Sequence, residues 1–284
     1  MTAIGSLLAG LIDYAGLYPP AGLDMHTAVR NYLAYLEGEH AAALGRFIVD
    51  ISRLKELREV AGDSLRDLRL SVIASGMVER DNLKRLIDDG FPIDMMEIKV
   101  GSSAGIERIS QCIPSGLMTY FEVPFEDDAS ESLAAIRSAG ARTKLRMGGV
   151  VVEAFPTSEQ VAKMLRALAN RRIPFKATAG LHHAIRAPYH FTYKADSLTG
   201  TMHGFINLCY AAALVYFGGE VGEAQRLLEE EDPATWKVKD EAIGGRAFHW
   251  SADQLSEVRR EFLISFGSCS FEEPIHDLEA LGWL

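Results

Sequence analysis

Two short β-prone segments in the middle of the chain each carry a lysine close to where a strand runs out. One is Thr143-Lys144-Leu145-Arg146-Met147 before Gly148-Gly149; the other is Phe175-Lys176-Ala177-Thr178 before Ala179-Gly180. Side chains alternate across a strand. Lys144 and Arg146 therefore share a face opposite Leu145 and Met147, and Lys176 shares one with Thr178 opposite Phe175, Ala177 and Ala179. In a parallel barrel wrapped by helices, the apolar set faces the helices. The cationic set then points into the barrel mouth, where such folds carry their chemistry. A lysine held there is costly unless it is used or paired. The alternative to chemistry is an internal ion pair with carboxylates that serves only the structure.

Carboxylates stand at other strand ends: Asp13 in the first, Asp94 and Glu97 in the fourth, Glu122 in the fifth. Alternation puts Glu97 and Lys99 on the opposite face from Asp94, so at most one of these sets points inward. Glu97 and Lys99 lie nearer the strand's end. Asp13 either lines a pocket with Tyr14 or accepts hydrogen bonds from the Pro19-Pro20 turn, and Arg46 with Asp50 reads as an internal ion pair. A second polar cluster follows the Lys176 strand: His182, His183 and Arg186, then Tyr189, His190 and Lys194. Its leading reading is substrate binding or proton transfer by His182 or His183, with Arg186 holding an anion. The competing reading is metal ligation by the histidines with Glu97 or Glu122, although the spacing matches no zinc pattern. His203, at the start of an apolar helix, reads as a cap or core group in preference to one that reaches the site.

The elements that must position these residues recur as strand followed by helix. Strand candidates are Leu11 to Leu17, Gly45 to Ile51, Leu68 to Ala74, Ile93 to Val100 and Leu117 to Val123, and then the segments holding Lys144 and Lys176. Behind the sixth, a capping box from Thr157 to Gln160 starts a helix that buries Val161, Met164, Leu165 and Leu168. Seven such units predict an α/β chain of the (β/α)8 TIM-barrel class, one strand short of closure. For the eighth strand, Ala247 to Trp250 is preferred over Phe262 to Phe266. Leu255, Val258, Phe262 and Phe266 have helical spacing behind a second capping box, Ser251 to Gln254. The expected organisation is one barrel domain over 1–284 with a mostly helical insertion after strand seven, at about 184–246.

The ordered array of strand-end residues resembles the deoxyribose-phosphate aldolase family of class I aldolases. The matching segments are Leu11-Ile12-Asp13-Tyr14 with Pro19-Pro20-Ala21, Ile93-Asp94-Met95-Met96, Phe121-Glu122, the Lys144 strand ending in Gly148-Gly149, and Phe175-Lys176 with Gly180. They span residues 11 to 181. The resemblance implies that Lys144 forms a Schiff base, that Lys176 lowers its pKa, and that Asp94 relays protons; in such a reaction either Asp94 or Glu122 would move protons. The physics is consistent: an amine of ordinary pKa ~10.4 is almost wholly protonated at neutral pH, and a second ammonium nearby favours the neutral nucleophile. Arg146 stands where that family has a small hydroxyl residue; an arginine there either occupies the space of a sugar phosphate or binds a carboxylate, which points to a different substrate.

The bulk numbers are those of an ordinary globular protein. Over 284 residues, 48% are hydrophobic and 24% charged, so a sizeable core can be buried. A net charge of −10 leaves no basic stripe for nucleic acid. Cys112, Cys209 and Cys269 are scattered without CxxC spacing, and the longest apolar run, Phe205 to Phe217, is too short to span a bilayer. A cytoplasmic location is expected, with no membrane partner. The glycine pairs fit no nucleotide-binding pattern, so no cofactor and no resident metal is expected. The Phe205 to Phe217 helix and Trp283-Leu284 could supply a homo-oligomer interface. The leading expectation is an aldolase-like lyase acting through a lysine Schiff base on a small, anionic carbonyl compound. Its alternatives are a metal-dependent hydrolase or isomerase built on His182 and His183, and a barrel that binds a ligand without turnover.

Overall fold

The structure is a computed structural model that describes residues 2–76, 80–126, 128–194, 196–245 and 248–284. Seven strands run in the order anticipated: β1 (Ile12–Tyr14), β2 (Leu44–Asp50), β3 (Leu70–Ser75), β4 (Ile93–Lys99), β5 (Met118–Glu122), β6 (Arg142–Arg146) and β7 (Phe175–Thr178). Two small antiparallel sheets follow. One pairs β8 (Ala187–His190) with β9 (Thr199–Met202), and the other joins β10 (Lys237–Val238), β11 (Ala242–Gly244) and β12 (His249–Ser251). The last strand, β13 (Leu263–Ser268), lies between β7 and β1 and closes a parallel eight-stranded barrel. The fold is a TIM barrel.

The helices outside it are amphipathic and bury one face against the apolar outer side of the strands. The helix Ser158–Arg171 starts at the expected capping box, with Thr157 Oγ1 accepting from the Gln160 N–H, and buries Val161, Met164, Leu165 and Leu168. Phe205–Tyr216 is buried along most of its length. Among the described residues, no helix is long and apolar enough to cross a membrane.

The closing strand is the other of the two candidates. Ala247 lies outside the described residues, and His249–Ser251 belongs to the small sheet with β10 and β11, away from the barrel. The helix Ala252–Glu261 does begin at the Ser251–Gln254 capping box, but it stops at Phe262, and β13 starts at the next residue. Leu255 and Val258 are buried on the helix, while Phe266 is buried on the strand. Their spacing reads straight through a helix-to-strand boundary that has no breaker. Among the described residues, the insertion at 184–246 holds the helices Phe205–Tyr216 and Val221–Glu229 together with the short strands β8 to β11.

One irregularity decides where an acid points. Leu70 pairs with Ile93 but Ser71 pairs with Met95, which leaves Asp94 as the extra residue of a bulge at the start of β4. From there its carboxylate turns to Arg46, whose Nε donates to Oδ1 at 2.8 Å. Arg46 thus pairs with Asp94 rather than with Asp50, whose Oδ1 accepts from the Ser52 N–H and hydroxyl.

Candidate active site

Lys144 and Lys176 are partners in the β6–β7 register, and both side chains turn into the barrel. A single carboxylate spans them. Glu97, from β4, accepts from Lys176 Nζ at 2.5 Å with Oε1 and lies 3.0 Å from Lys144 Nζ with Oε2. Ser71 adds a hydroxyl hydrogen bond to Oε1 at 2.7 Å. Glu97 therefore belongs to the inward set of β4 with Met95, whose sulfur lies 3.5 Å from Lys176 Nζ.

Below this bridge, Asp13 anchors Lys176. Its Oδ2 accepts from Lys176 Nζ at 2.7 Å and from Ser265 Oγ at 2.6 Å, while Oδ1 accepts from the Arg46 backbone N–H at 2.7 Å. None of these donors belongs to the Pro19-Pro20 turn. The carboxylate fits because position 45 has no side chain: a Cβ on Gly45 would run into Asp13 Oδ1. Gly45→Ala is accordingly expected to push Asp13 off its donors and to cost about 1–3 kcal/mol, read from urea unfolding midpoints.

Above the bridge, Lys144 sits between Glu97 and Glu122, whose Oε2 lies 3.2 Å from its Nζ. Glu122 also faces Lys99 at 4.0 Å, at the rim, where Lys99 is largely exposed. The amines differ in what they reach. Lys176 is fully buried, whereas Lys144 opens onto a cavity of about 240 Å³ whose wall includes Tyr18, Ile48, Ile73, Arg146, Thr178 and His182. Arg146, with Nε donating to the Gly148 carbonyl at 3.2 Å, separates it from a second hollow of about 520 Å³ bounded by Lys99, Glu122 and Phe155.

Electrostatics follow from this stacking. Burial works against the Lys176 ammonium, but Asp13 and Glu97 outweigh it and hold its pKa above the ordinary lysine value. Burial likewise disfavours the Glu97 carboxylate, yet Lys176 and then Lys144 keep it well below the usual carboxylate range. Two ammonium groups and one shared anion form a fixed, charged floor.

The remaining candidates divide. Asp94, expected as a proton relay, is at the opposite end of β4 and is committed to Arg46, with Arg69 3.7 Å from its other oxygen. Because the bulge rotates it toward the start of the barrel, it does not meet Lys144. His182 and His183 diverge. His183 stacks on Tyr189 with ring centroids 3.6 Å apart and meets Asp277 at 3.2 Å, while His182 faces the cavity. Arg186 turns to Glu231 and Ser158 instead of holding an anion in that cavity. His203 meets the Pro156 carbonyl at 2.8 Å through Nε2, and burial lowers its pKa. Among the described residues, no group of three or more His, Cys, Asp or Glu side chains is placed to hold a metal ion.

Sequence reading passed over Ser71 and Ser265, the hydroxyls that complete the carboxylate cage, and Tyr18 in the cavity wall. Ser265 carried a usable signal, because it and Gly267 form the small inward set of β13 once that strand is placed.

His182 makes the site sensitive to alkali. Burial opposes its charged form, but contacts to Cys269 and Glu273 prevail and push its pKa up to about 9. A group whose pKa is raised by folding adds stability in full below its unfolded value, ~6.5, and loses it as pH rises through the folded value. Unfolding free energy is therefore expected to fall between about pH 6.5 and 9, and His182→Gln to flatten that decline in denaturant titrations taken across the window.

No protein family and no curated protein matches the chain. Solved structures do align with parts of it. FabK from Thermotoga maritima is 18% identical with a TM-score of 0.38, over 65% of this chain and 56% of that one. A nitroalkane oxidase from Streptomyces ansochromogenes is 16% identical with a TM-score of 0.35, over 64% and 62%. An L-talarate dehydratase from Polaromonas sp. JS666, complexed with Mg and L-glucarate, is 13% identical with a TM-score of 0.33, over 70% and 60%. The chain thus spans about three fifths of the length of each.

Proposed function

We propose that this barrel is an enzyme that binds a small carbonyl compound as a Schiff base on Lys144 and makes or breaks a carbon–carbon bond beside it. The observation that carries this reading is the asymmetry of the two amines: Lys176 is sealed beneath Glu97, and Lys144 faces the cavity. An iminium carries the same single positive charge as the ammonium it replaces. The carboxylates that hold the Lys144 ammonium, Glu97 and Glu122, would therefore also hold the iminium and stabilise the charge that develops as it forms.

The amine must first lose a proton. Glu122, 3.2 Å away and on the rim side, is placed to accept it, to return it to the departing hydroxyl as water is expelled, and to move the proton that accompanies enamine formation. Lys176 acts less directly than the family resemblance implies. Glu97 stands between the amines and offsets much of their repulsion, so Lys176 chiefly competes with Lys144 for that carboxylate. Arg146 and Lys99 supply positive charge at the mouth, which suits an anionic substrate.

The test is trapping. Purified protein is incubated with a panel of small aldehydes and ketones, reduced with borohydride, and mapped by peptide mass. A reduced adduct on Lys144 is expected. An adduct on Lys176 would reverse the roles of the two amines. No adduct on either, together with no turnover of any carbonyl substrate, would overturn the proposal in favour of a barrel that only binds its ligand.

A further inference from the structure

The cavity has a second nucleophile. Cys269 follows β13, is almost fully buried, and forms part of the same wall as His182. Its Sγ lies 3.6 Å from His182 Nδ1 and 3.5 Å from the Tyr193 hydroxyl. Nδ1 is also 3.4 Å from Ser268 Oγ and 3.5 Å from Glu273 Oε2, so the ring spends one nitrogen on its protein neighbours. The other nitrogen, Nε2, has no hydrogen-bond partner among the described residues, although His182 is nine-tenths buried in the cavity wall. The Lys144 chemistry uses neither residue.

We infer that Cys269 and His182 form a thiol–imidazole site that accepts a short acyl group from an ester or thioester. One proton is shared between Sγ and Nδ1, and a second sits on Nε2. The sulfur adds to the acyl carbon and a carbon–sulfur bond forms. As the bond to the leaving alcohol or thiol breaks, the Nε2 proton passes to that leaving group and the shared proton stays on Nδ1. The products are an acyl-cysteine, the free alcohol or thiol and a neutral imidazole; no oxidant or reductant is consumed. Glu273 Oε2, 3.5 Å from Nδ1, favours the charged ring electrostatically, and Ile48 and Ile73 give the acyl chain an apolar surface. This inference does not rest on the imine: its probe contains no aldehyde or ketone, and no borohydride is present, so either proposal can fail alone.

The experiment uses p-nitrophenyl acetate with the full-length protein. A burst of p-nitrophenolate approaching one equivalent is expected, with acetyl mapped to Cys269 rather than to Cys112 or Cys209. Cys269→Ala should remove that burst, and His182→Gln should slow acetylation of Cys269 about 100-fold while labelling of half-exposed Cys112 is unchanged. The wild-type mass map needs no variant to fold. Acetyl found on lysines or Cys112 with Cys269 unmodified would overturn the inference, as would acetylation of His182→Gln at the wild-type rate.

Discussion

Lys144→Arg is expected to abolish the borohydride-trapped adduct and to lower turnover of any carbonyl substrate by at least about 10³-fold, while the protein stays folded. Arginine keeps a cation between Glu97 and Glu122, so the cage is not left with unpaired carboxylates. It cannot lose its proton and cannot form an imine under these conditions. The substitution therefore separates the two roles open to a buried lysine. If the cation only balances charge, arginine replaces it with modest loss. If the amine is the nucleophile, arginine is as inactive as Lys144→Met. The measurement is intact mass after reduction, alongside circular dichroism and a denaturant midpoint. A Lys144→Arg protein that still gave a full adduct, or that retained turnover, would remove Lys144 from the mechanism.

How much of this was legible in the sequence depends on the period each segment kept. The inward placement of Lys144 and Lys176 follows from strict alternation along β6 and β7, and alternation also sets Asp94 apart from Glu97. The choice between those acids could not be made from alternation alone, because it turns on the bulge at Asp94 and on what Arg46 does from β2, two strands away. This bulge falls on Asp94, with no glycine to mark it in the residue types. The closing strand was obscured for a different reason. Its inward residues, Ser265 and Gly267, are small, so β13 shows no strong two-residue period, and its apolar residues continue the spacing of the preceding helix. The adjacent histidines illustrate a third limit. Their order in the chain says nothing about the loop that sends one to the cavity and the other to Tyr189 and Asp277.

Lys176→Met should cost about 3–5 kcal/mol of stability at neutral pH, the range for breaking a buried ion pair by removing one partner. Methionine fills much of the space, so the loss comes from the anions left behind. Asp13 keeps Ser265 and the Arg46 N–H, and Glu97 keeps Ser71 and Lys144, but both lose the cation that lies between them. The pH dependence identifies the cause. In the wild type, Glu97's lowered pKa adds stability that is complete above its unfolded value, ~4.5, and is lost as pH falls below it. In Lys176→Met that contribution shrinks, and protonating Glu97 relieves a carboxylate that has lost one of its two cations. The deficit relative to wild type should therefore be largest near pH 7 and narrow toward pH 4, and adding Glu97→Gln should restore part of it. Urea titrations at the two pH values, on the single and double variants, measure both effects; an equal deficit at both would assign the loss to packing. The same substitution bears on Lys144. With Lys176 gone, Glu97 pairs with Lys144 alone and holds that side chain more firmly, so trapping on Lys144 should slow even where the protein is fully folded. A buried amine that never touches substrate would then set how readily its neighbour reacts, through the carboxylate they share.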